Sequence, residues 1–92
     1  MLTIEYHTKF KKDYKKIVKR GCNIKRLEEV IGFLVMEQAL PEKYQDHALA
    51  DSKYYKNMRE CHIQPDWLLI YQIKKKELIL ALIRSGSHND LF

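Results

Sequence analysis

Four residues in the C-terminal part of the chain, His62, Asp66, Arg84 and His88, have side chains that could cleave RNA together. RNA carries its own nucleophile, the 2′-hydroxyl group. Cleavage requires a base that deprotonates this hydroxyl, an acid that protonates the leaving 5′-oxygen, and positive charge beside the phosphate. Histidine suits the first two roles because, with an unperturbed pKa of ~6.5, both of its forms are available near neutral pH. Arginine suits the third role because its fork of donors matches phosphate oxygens.

Three predicted strands position these residues. Short links separate the strands, so sequential strands are expected to pair as antiparallel neighbours. The second and third strands are apolar on both faces, as is typical of central strands that helices cover. The predicted ranges are residues 56–63, 67–73 and 78–84.

The hairpins predict that the four side chains converge at one end of the sheet. A turn centred between Lys75 and Lys76 would place Arg84 roughly opposite Trp67, and the preceding turn would bring His62 close to the same end. His88 follows Arg84 by four residues. Four residues of extended chain reach at most ~14 Å, so His88 is expected to stay near the same end of the sheet. Sequential strands pair about two-thirds of the time, and the convergence depends on that pairing.

Structural roles remain open for each of these residues. Arg84 could form a salt bridge with Glu60 or Asp66 at the sheet end, and Asp66 is equally a turn residue. Trp67 could belong to the core or provide a platform for a nucleobase. The spacing of the histidines and aspartate matches no compact metal-ligand motif. We therefore predict no metal and no cofactor.

The N-terminal half predicts one strand followed by two helices. Alternating Leu2, Ile4 and Tyr6 indicate the strand. Apolar residues at helical spacing indicate two helices, the first ending at Gly21 and the second capped by Asn23. Residues 42–53 show little periodicity, which predicts a long connection that contains His47. At 92 residues the chain is expected to form one domain over residues 1–92.

Charge is concentrated near the N-terminus. Residues 9–26 contain nine Lys or Arg and one Asp, a net charge of +8, which leaves −3 for the rest of a chain of net charge +5. Such a basic face suits a phosphate backbone or an acidic protein segment, and it could also be a solvated helix face. No apolar leader or membrane-length run is present, so we expect a cytoplasmic protein without membrane contact. Cys22 and Cys61 are predicted to be reduced packing residues.

Three segments resemble the YafQ branch of the RelE superfamily. They are DHAL at residues 46–49, RECHIQPDWLLIY at 59–71 and RSGSHNDLF at 84–92. The resemblance implies an α+β fold in which an N-terminal strand and two helices pack on a small antiparallel sheet ending in a strand meander. The chain departs from the family after Leu49, where members commonly carry a glycine. RelE itself uses a lysine, arginine and tyrosine set, so this chain is similar to the histidine-using branch.

The resemblance also implies an activity and a set of partners. Family members are toxins of type II toxin–antitoxin pairs that cut mRNA without a metal, typically on the ribosome, and an acidic antitoxin silences them. A basic RNA- or antitoxin-binding module without catalysis is the alternative. By position, the implied catalytic residues are His47, His62, Asp66, Arg84 and His88, with His88 and Asp66 as the acid–base pair. The predicted substrate-binding residues are Phe92, Trp67, Lys53 and Arg59.

Overall fold

The computed structural model describes all 92 residues and contains five strands and three α-helices. A short 3-10 turn, Glu42–Tyr44, follows the second helix. The elements in chain order are β1 (Thr3–Tyr6), α1 (Thr8–Lys19), α2 (Ile24–Val35), β2 (His47–Ala48), β3 (Arg59–Gln64), β4 (Trp67–Lys74), β5 (Ile79–Gly86) and α3 (His88–Leu91).

The five strands form one sheet in the order β1-β5-β4-β3-β2. The predicted meander of β3, β4 and β5 is confirmed, and β2 extends it as an antiparallel edge strand. The sheet is mixed rather than wholly antiparallel, since β1 pairs in parallel with β5. A parallel pair needs a crossover connection, and α1 and α2 provide its first part. The N-terminal strand therefore lies beside the last strand of the chain.

Sequence signals at the ends of α1 and α2 act as predicted. Gly21 adopts a left-handed conformation (φ 77°) just after α1, which glycine does without steric cost. The side chain of Asn23 accepts a hydrogen bond from the backbone N–H of Lys25 at 3.1 Å and thereby caps α2. Neither of these helices, nor α3, is long and apolar enough to cross a membrane.

The two faces of the sheet are covered differently. The helices pack on one face around Phe10, Ile17, Leu27, Val30 and Leu34, where they meet buried side chains of all three long strands. The opposite face, here called the open face, has no long helix over it. It carries a smaller apolar cluster of Tyr55, Leu68, Ile70, Ala81, Ile83 and Leu91. The polar residues at the margins of the open face form the candidate site.

The predicted pairing of Arg84 with Trp67 is wrong, because Arg84 lies opposite Ile70. The turn between β4 and β5 spans four residues, 75–78, and Leu78 takes a left-handed conformation (φ 55°). A β-bulge beside Ile70 shifts the register by a further residue. The turn has the predicted length but lies one residue later in the chain, and this displacement and the bulge together move Arg84 away from the end of the sheet.

Candidate active site on the open face of the sheet

A buried carboxylate between two histidines forms the first part of the site. His47 on β2 pairs with Glu60 on β3, and His62 follows Glu60 by two residues, so all three side chains share one face. Glu60 is 7% exposed, and its Oε1 atom lies 3.4 Å from Nε2 of His62 and 3.8 Å from Nε2 of His47. The other ring nitrogens approach backbone carbonyl groups, at 2.7 Å for His47 and 3.3 Å for His62.

These contacts suit groups that carry protons. Each ring has a backbone carbonyl oxygen beside Nδ1 and the Glu60 carboxylate beside Nε2. The two rings lie 6.2 Å apart between centroids, close enough for one substrate group to contact both. His62 is partly buried, whereas His47 is exposed.

The second part of the site is the turn between β3 and β4 together with α3. The carboxylate of Asp66 accepts a hydrogen bond from the backbone N–H of His88 at 3.1 Å. This N–H lies at the first position of a helix, where no partner exists within the helix itself. The carbonyl group beside His62 belongs to Pro65, the neighbour of Asp66. The Pro65–Asp66 turn therefore contacts both His62 and His88.

A capping box and a long-range ion pair fix α3 and its histidine. The side chain of Ser87 accepts from the N–H of Asp90 at 3.2 Å, and the carboxylate of Asp90 accepts from the N–H of Ser87 at 2.9 Å. Arg20, at the end of α1, donates to both oxygens of the same carboxylate at 2.6 and 3.1 Å. The Arg20 guanidinium, helped by the Ser87 N–H, holds the pKa of the Asp90 carboxyl well below its usual range.

Aromatic contacts join α3 to the open face. The hydroxyl of Tyr55 donates to the carbonyl oxygen of Leu91 at 2.9 Å, and the Tyr55 ring meets Phe92 edge-on at 5.5 Å between centroids. The rings of Phe92 and His88 lie 4.9 Å apart. Burial raises the pKa of Tyr55, so its hydroxyl stays protonated as a donor. Phe92 remains 54% exposed.

Arg84 is paired with Asp13, not with Glu60 or Asp66. Its Nε donates to Asp13 at 2.7 Å and its Nη2 donates at 3.0 Å, which raises the pKa of the guanidinium. Asp13 is 5% exposed and also accepts from the backbone N–H of Ser85 at 3.1 Å. β1 ends opposite Leu82, so Asp13 on α1 supplies the partner that this part of the β5 edge lacks.

Trp67 is not placed to bind substrate, which corrects the sequence prediction. It is 5% exposed within the core on the helix side of the sheet. Its indole N–H donates to the hydroxyl of Ser85 at 3.0 Å. A buried indole with its donor satisfied is a structural residue, and this was the alternative left open by the sequence.

Of the two other residues predicted to contact substrate, Lys53 is exposed, whereas Arg59 is on the helix side of the sheet, beside Tyr71, which corrects the prediction for Arg59. Lys53 is exposed, and its Nζ lies 5.6 Å from the centroid of the Tyr54 ring. Arg59 donates to Asp46 at 3.1 Å, and this hydrogen bond raises the pKa of the guanidinium. The hydroxyl of Tyr71 also donates to Asp46. Lys53 is free to meet a ligand, whereas Arg59 already has a partner.

Three residues of the site were missed from sequence: Glu60, Tyr55 and Asp13. Glu60 could have been found from the strand period, which puts it on the same face as His62. Asp13 was the one acidic residue in a basic segment, but nothing local indicates a partner 71 positions away. Tyr55 lay in a segment without periodicity.

Comparisons with known proteins agree with this architecture. A family model described as "Bacterial toxin of type II toxin-antitoxin system, YafQ" matches residues 2–92. The chain is 38% identical over 90 residues to a protein of Escherichia coli (strain B / BL21-DE3) named mRNA interferase toxin YafQ, covering 97% of this chain and 94% of the relative.

Solved structures of two bacterial toxins superpose on the whole chain. A metal-bound toxin from Helicobacter pylori has a TM-score of 0.91 at 53% identity, with 100% of both chains covered. The E. coli DinJ-YafQ complex gives a TM-score of 0.89 at 35% identity, covering 100% of this chain and 99% of the other. Fold and site thus define a small α+β bacterial toxin. The chain belongs to the YafQ family of type II toxin–antitoxin systems.

The solved structure of the H. pylori toxin contains a bound metal. No group of three or more His, Cys, Asp or Glu side chains in this structure is arranged to hold a metal ion. In the cluster of His47, Glu60 and His62, the carboxylate contacts the two imidazole groups directly, at 3.8 and 3.4 Å.

Proposed function

We propose that this chain is an endoribonuclease toxin that cleaves mRNA without a cofactor and acts on the ribosome. The observation that carries the proposal is the hydrogen bond between the Asp66 carboxylate and the His88 backbone, which joins these two residues beside His62. A carboxylate and imidazole groups at one place suit proton transfer to and from a ribose phosphate. The name of the E. coli relative, an mRNA interferase toxin, supports the same substrate.

In the proposed reaction the RNA provides the nucleophile. One member of the His88–Asp66 pair removes the proton of the 2′-hydroxyl, and the resulting oxygen attacks the adjacent phosphorus. The bond from phosphorus to the 5′-oxygen then breaks, and the acid of the pair protonates that oxygen. The products are a 2′,3′-cyclic phosphate and a free 5′-hydroxyl. His47 and His62 place the phosphate and transfer protons at the edge of the site.

Arg84 and Phe92 are proposed to act on charge and base position. Asp13 occupies Nε and Nη2 of Arg84, which leaves Nη1 without a hydrogen bond to the carboxylate. This nitrogen can approach a phosphate oxygen while Asp13 holds the guanidinium plane fixed. The exposed ring of Phe92 can stack on a base, which is worth about 1–3 kcal/mol. Lys53 is proposed to contact RNA beside the site, whereas Arg59 is bound to Asp46 on the other side of the sheet and is not part of the proposal.

The catalytic proposal is tested by tightly induced expression and by mapping of cleavage sites in cellular RNA. Wild-type protein is expected to arrest growth and to produce new 5′-hydroxyl ends in mRNA, whereas His88→Ala should do neither. Asn89→Ala is the matched control, because Asn89 is exposed in the same short helix and donates no hydrogen bond to the site. If His88→Ala is as toxic and as active as Asn89→Ala, His88 is not catalytic. If the wild type cleaves no RNA, the non-catalytic alternative replaces the proposal.

The cognate antitoxin is proposed to bind the surface formed by α1, α2 and Tyr6, here called the helix groove. The rings of Tyr6, Phe10 and Tyr14 follow one another at 6.1 and 6.4 Å between centroids. Tyr6 and Tyr14 are 51% and 38% exposed. Lys11 and Lys15 line the same cavity of about 520 Å³. An apolar groove with a basic margin fits an acidic amphipathic helix, and a solved E. coli relative is a complex of the toxin YafQ with DinJ.

The antitoxin proposal is tested by calorimetry with the protein encoded beside the toxin gene. Lys11→Glu should weaken binding by about tenfold or more, since like charges across an interface are unfavourable. Lys12→Glu is the control, because Lys12 carries the same charge one residue away and is not among the residues lining the groove. Equal affinities of the two variants would place the antitoxin elsewhere.

A further inference from the structure

A second concave surface adjoins the candidate active site. This cavity, here called the α1 cavity, has a volume of about 670 Å³ and lies between the start of α1, the chain around Tyr55, β5 and α3. Its volume falls within the range of about 300–1,000 Å³ that is typical of small-molecule sites. None of the acid–base residues proposed above lines it.

The wall formed by α1 is basic. Lys9 lines the cavity, is exposed and forms no ion pair. The first turn of α1 contains no acidic residue. Arg84 lines the opposite side with its guanidinium held by Asp13. An anionic ligand in the cavity would therefore be flanked by two cations, the unpaired Lys9 and the Arg84 guanidinium that Asp13 holds in place.

Aromatic side chains form the remaining wall. Tyr54 lines the cavity and is 69% exposed. Such high exposure is unusual, because aromatic side chains normally bury most of their area. Tyr55 is buried beneath it. Cationic and aromatic side chains side by side are the combination that holds single-stranded nucleic acid, because every base has a face that can stack.

The α1 cavity is continuous with the proposed active site. Tyr55 lines the cavity and also touches Phe92, whose ring contacts His88. Leu91 provides part of the wall and accepts the hydrogen bond from the Tyr55 hydroxyl. An RNA strand lying across His88 and Phe92 would therefore have its next nucleotide directed toward this cavity.

We propose that the α1 cavity binds the nucleotide of the mRNA that flanks the cleaved bond, with Lys9 on its phosphate and Tyr54 stacked on its base. The inference rests on the proposed RNA cleavage and adds a binding subsite to it. The subsite contributes affinity for single-stranded RNA and takes no part in proton transfer. It predicts that substitutions there change the concentration of toxin needed for cleavage and leave the limiting rate unchanged.

Cleavage of a defined mRNA in a reconstituted translation reaction tests the inference, because it supplies both RNA and ribosomes. The toxin concentration that gives half the limiting rate is measured for each variant. Tyr54→Ala should raise it at least about fivefold through lost stacking, and Lys9→Ala roughly three- to tenfold through a lost phosphate contact. Tyr54→Phe keeps the ring and should behave as wild type.

Lys16→Ala is the control for charge. Lys16 lies seven residues, about 10 Å, further along the same side of α1 and does not line the cavity. If Lys9→Ala and Tyr54→Ala match Lys16→Ala, or if they lower only the limiting rate, the inference is wrong. If the wild type itself does not cleave, the proposed function fails instead. Thermal melting of each variant checks for misfolding, which is not expected because Lys9 and Tyr54 are both exposed.

An abasic nucleotide identifies the bound strand. It is placed one position before or after the cleaved bond of the mRNA. At one of the two positions it should raise the half-saturating concentration for wild type but add little for Tyr54→Ala, since the stacking partner is already missing. If both proteins respond equally at both positions, Tyr54 contacts no base of the mRNA and the subsite is refuted.

Discussion

Replacement of Asp13 by alanine is expected to destabilise the protein more than most single substitutions. The carboxylate is 5% exposed and accepts three hydrogen bonds, two from Arg84 at 2.7 and 3.0 Å and one from the Ser85 N–H at 3.1 Å. Breaking a buried ion pair by removing one partner costs about 3–5 kcal/mol. Of this, about 1–3 kcal/mol reflects a buried N–H left without an acceptor. Asp13→Ala should therefore lower the free energy of unfolding by roughly 3–5 kcal/mol.

A double-mutant cycle separates the ion pair from the other effects. Arg84→Met keeps much of the side-chain volume and removes the charge. If the pair is coupled, the cost of Asp13→Ala should be smaller in the Arg84→Met background, with an interaction energy of about 0.5–3 kcal/mol. The Ser85 N–H stays unsatisfied in both backgrounds, so a residual cost of about 1–3 kcal/mol remains. Asp13→Asn retains an acceptor and should fall between wild type and alanine.

Urea unfolding monitored by fluorescence of Trp67 measures these energies. This chain has one tryptophan, which is buried and donates to Ser85, so its emission reports the region around Asp13. A loss below about 0.5 kcal/mol for Asp13→Ala is the size expected for an ordinary surface change. That result, or an additive cycle, would show that Asp13 does not hold β5 and Arg84 in the way described.

Three further predictions concern thiol chemistry, one buried hydroxyl and acid stability. Burial raises the pKa of Cys61 to about 12, so its thiol stays protonated, and a thiolate-specific reagent at pH 8 should label the partly exposed Cys22 long before it labels Cys61, as mass spectrometry would show. Tyr55→Phe removes the donor to the last turn of α3 and should cost about 1–3 kcal/mol in urea unfolding, because a buried carbonyl group loses its partner. Arg20 lowers the pKa of Asp90 in the folded state. The stability that this carboxylate contributes is therefore complete above the unfolded pKa of about 3.9 and is lost as the pH falls toward the lower folded pKa. Asp90→Asn should remove this part of the dependence of stability on acid pH.

Each of these predictions has a contrary outcome. Equal labelling rates of the two cysteines would mean that Cys61 is reached by solvent. An unfolding energy for Tyr55→Phe equal to that of wild type would mean that the carbonyl group finds water. For the acid transition, Arg20→Gln should reproduce the effect of Asp90→Asn, and a wild-type profile in either variant would show that the pair does not stabilise α3.

Local patterns in the sequence predicted most of the regular structure. Apolar residues at helical spacing marked α1 and α2, with Gly21 and Asn23 at their ends, and apolar runs marked the last three strands. These signals are local because helix periodicity, capping and strand alternation each depend on residues within a few positions. β2 and α3 have two and four residues, too few to display a period, and they were not predicted.

The candidate site was only partly determined by sequence. The order of His62, Asp66 and His88 around a tight turn and a following loop indicated that they would meet, and the turn now connects them. Resemblance to the family added His47 and Phe92. The structure gave His47 a neighbour, Glu60, and gave Phe92 a contact with His88. The roles of these residues stay predictions until tested.

The sequence by itself determined which of the longer segments are helices and strands, where the positive charge lies, and which residue types occur together in the last part of the chain. Only the tertiary structure decided that β1 joins β5 in parallel, that a bulge shifts Arg84 to face Ile70, and that Asp13 is its partner. The physical reason is that these features depend on residues far apart in the sequence. Strand register and the pairing of a buried charge follow from how distant segments pack together, and no short stretch of sequence contains that information.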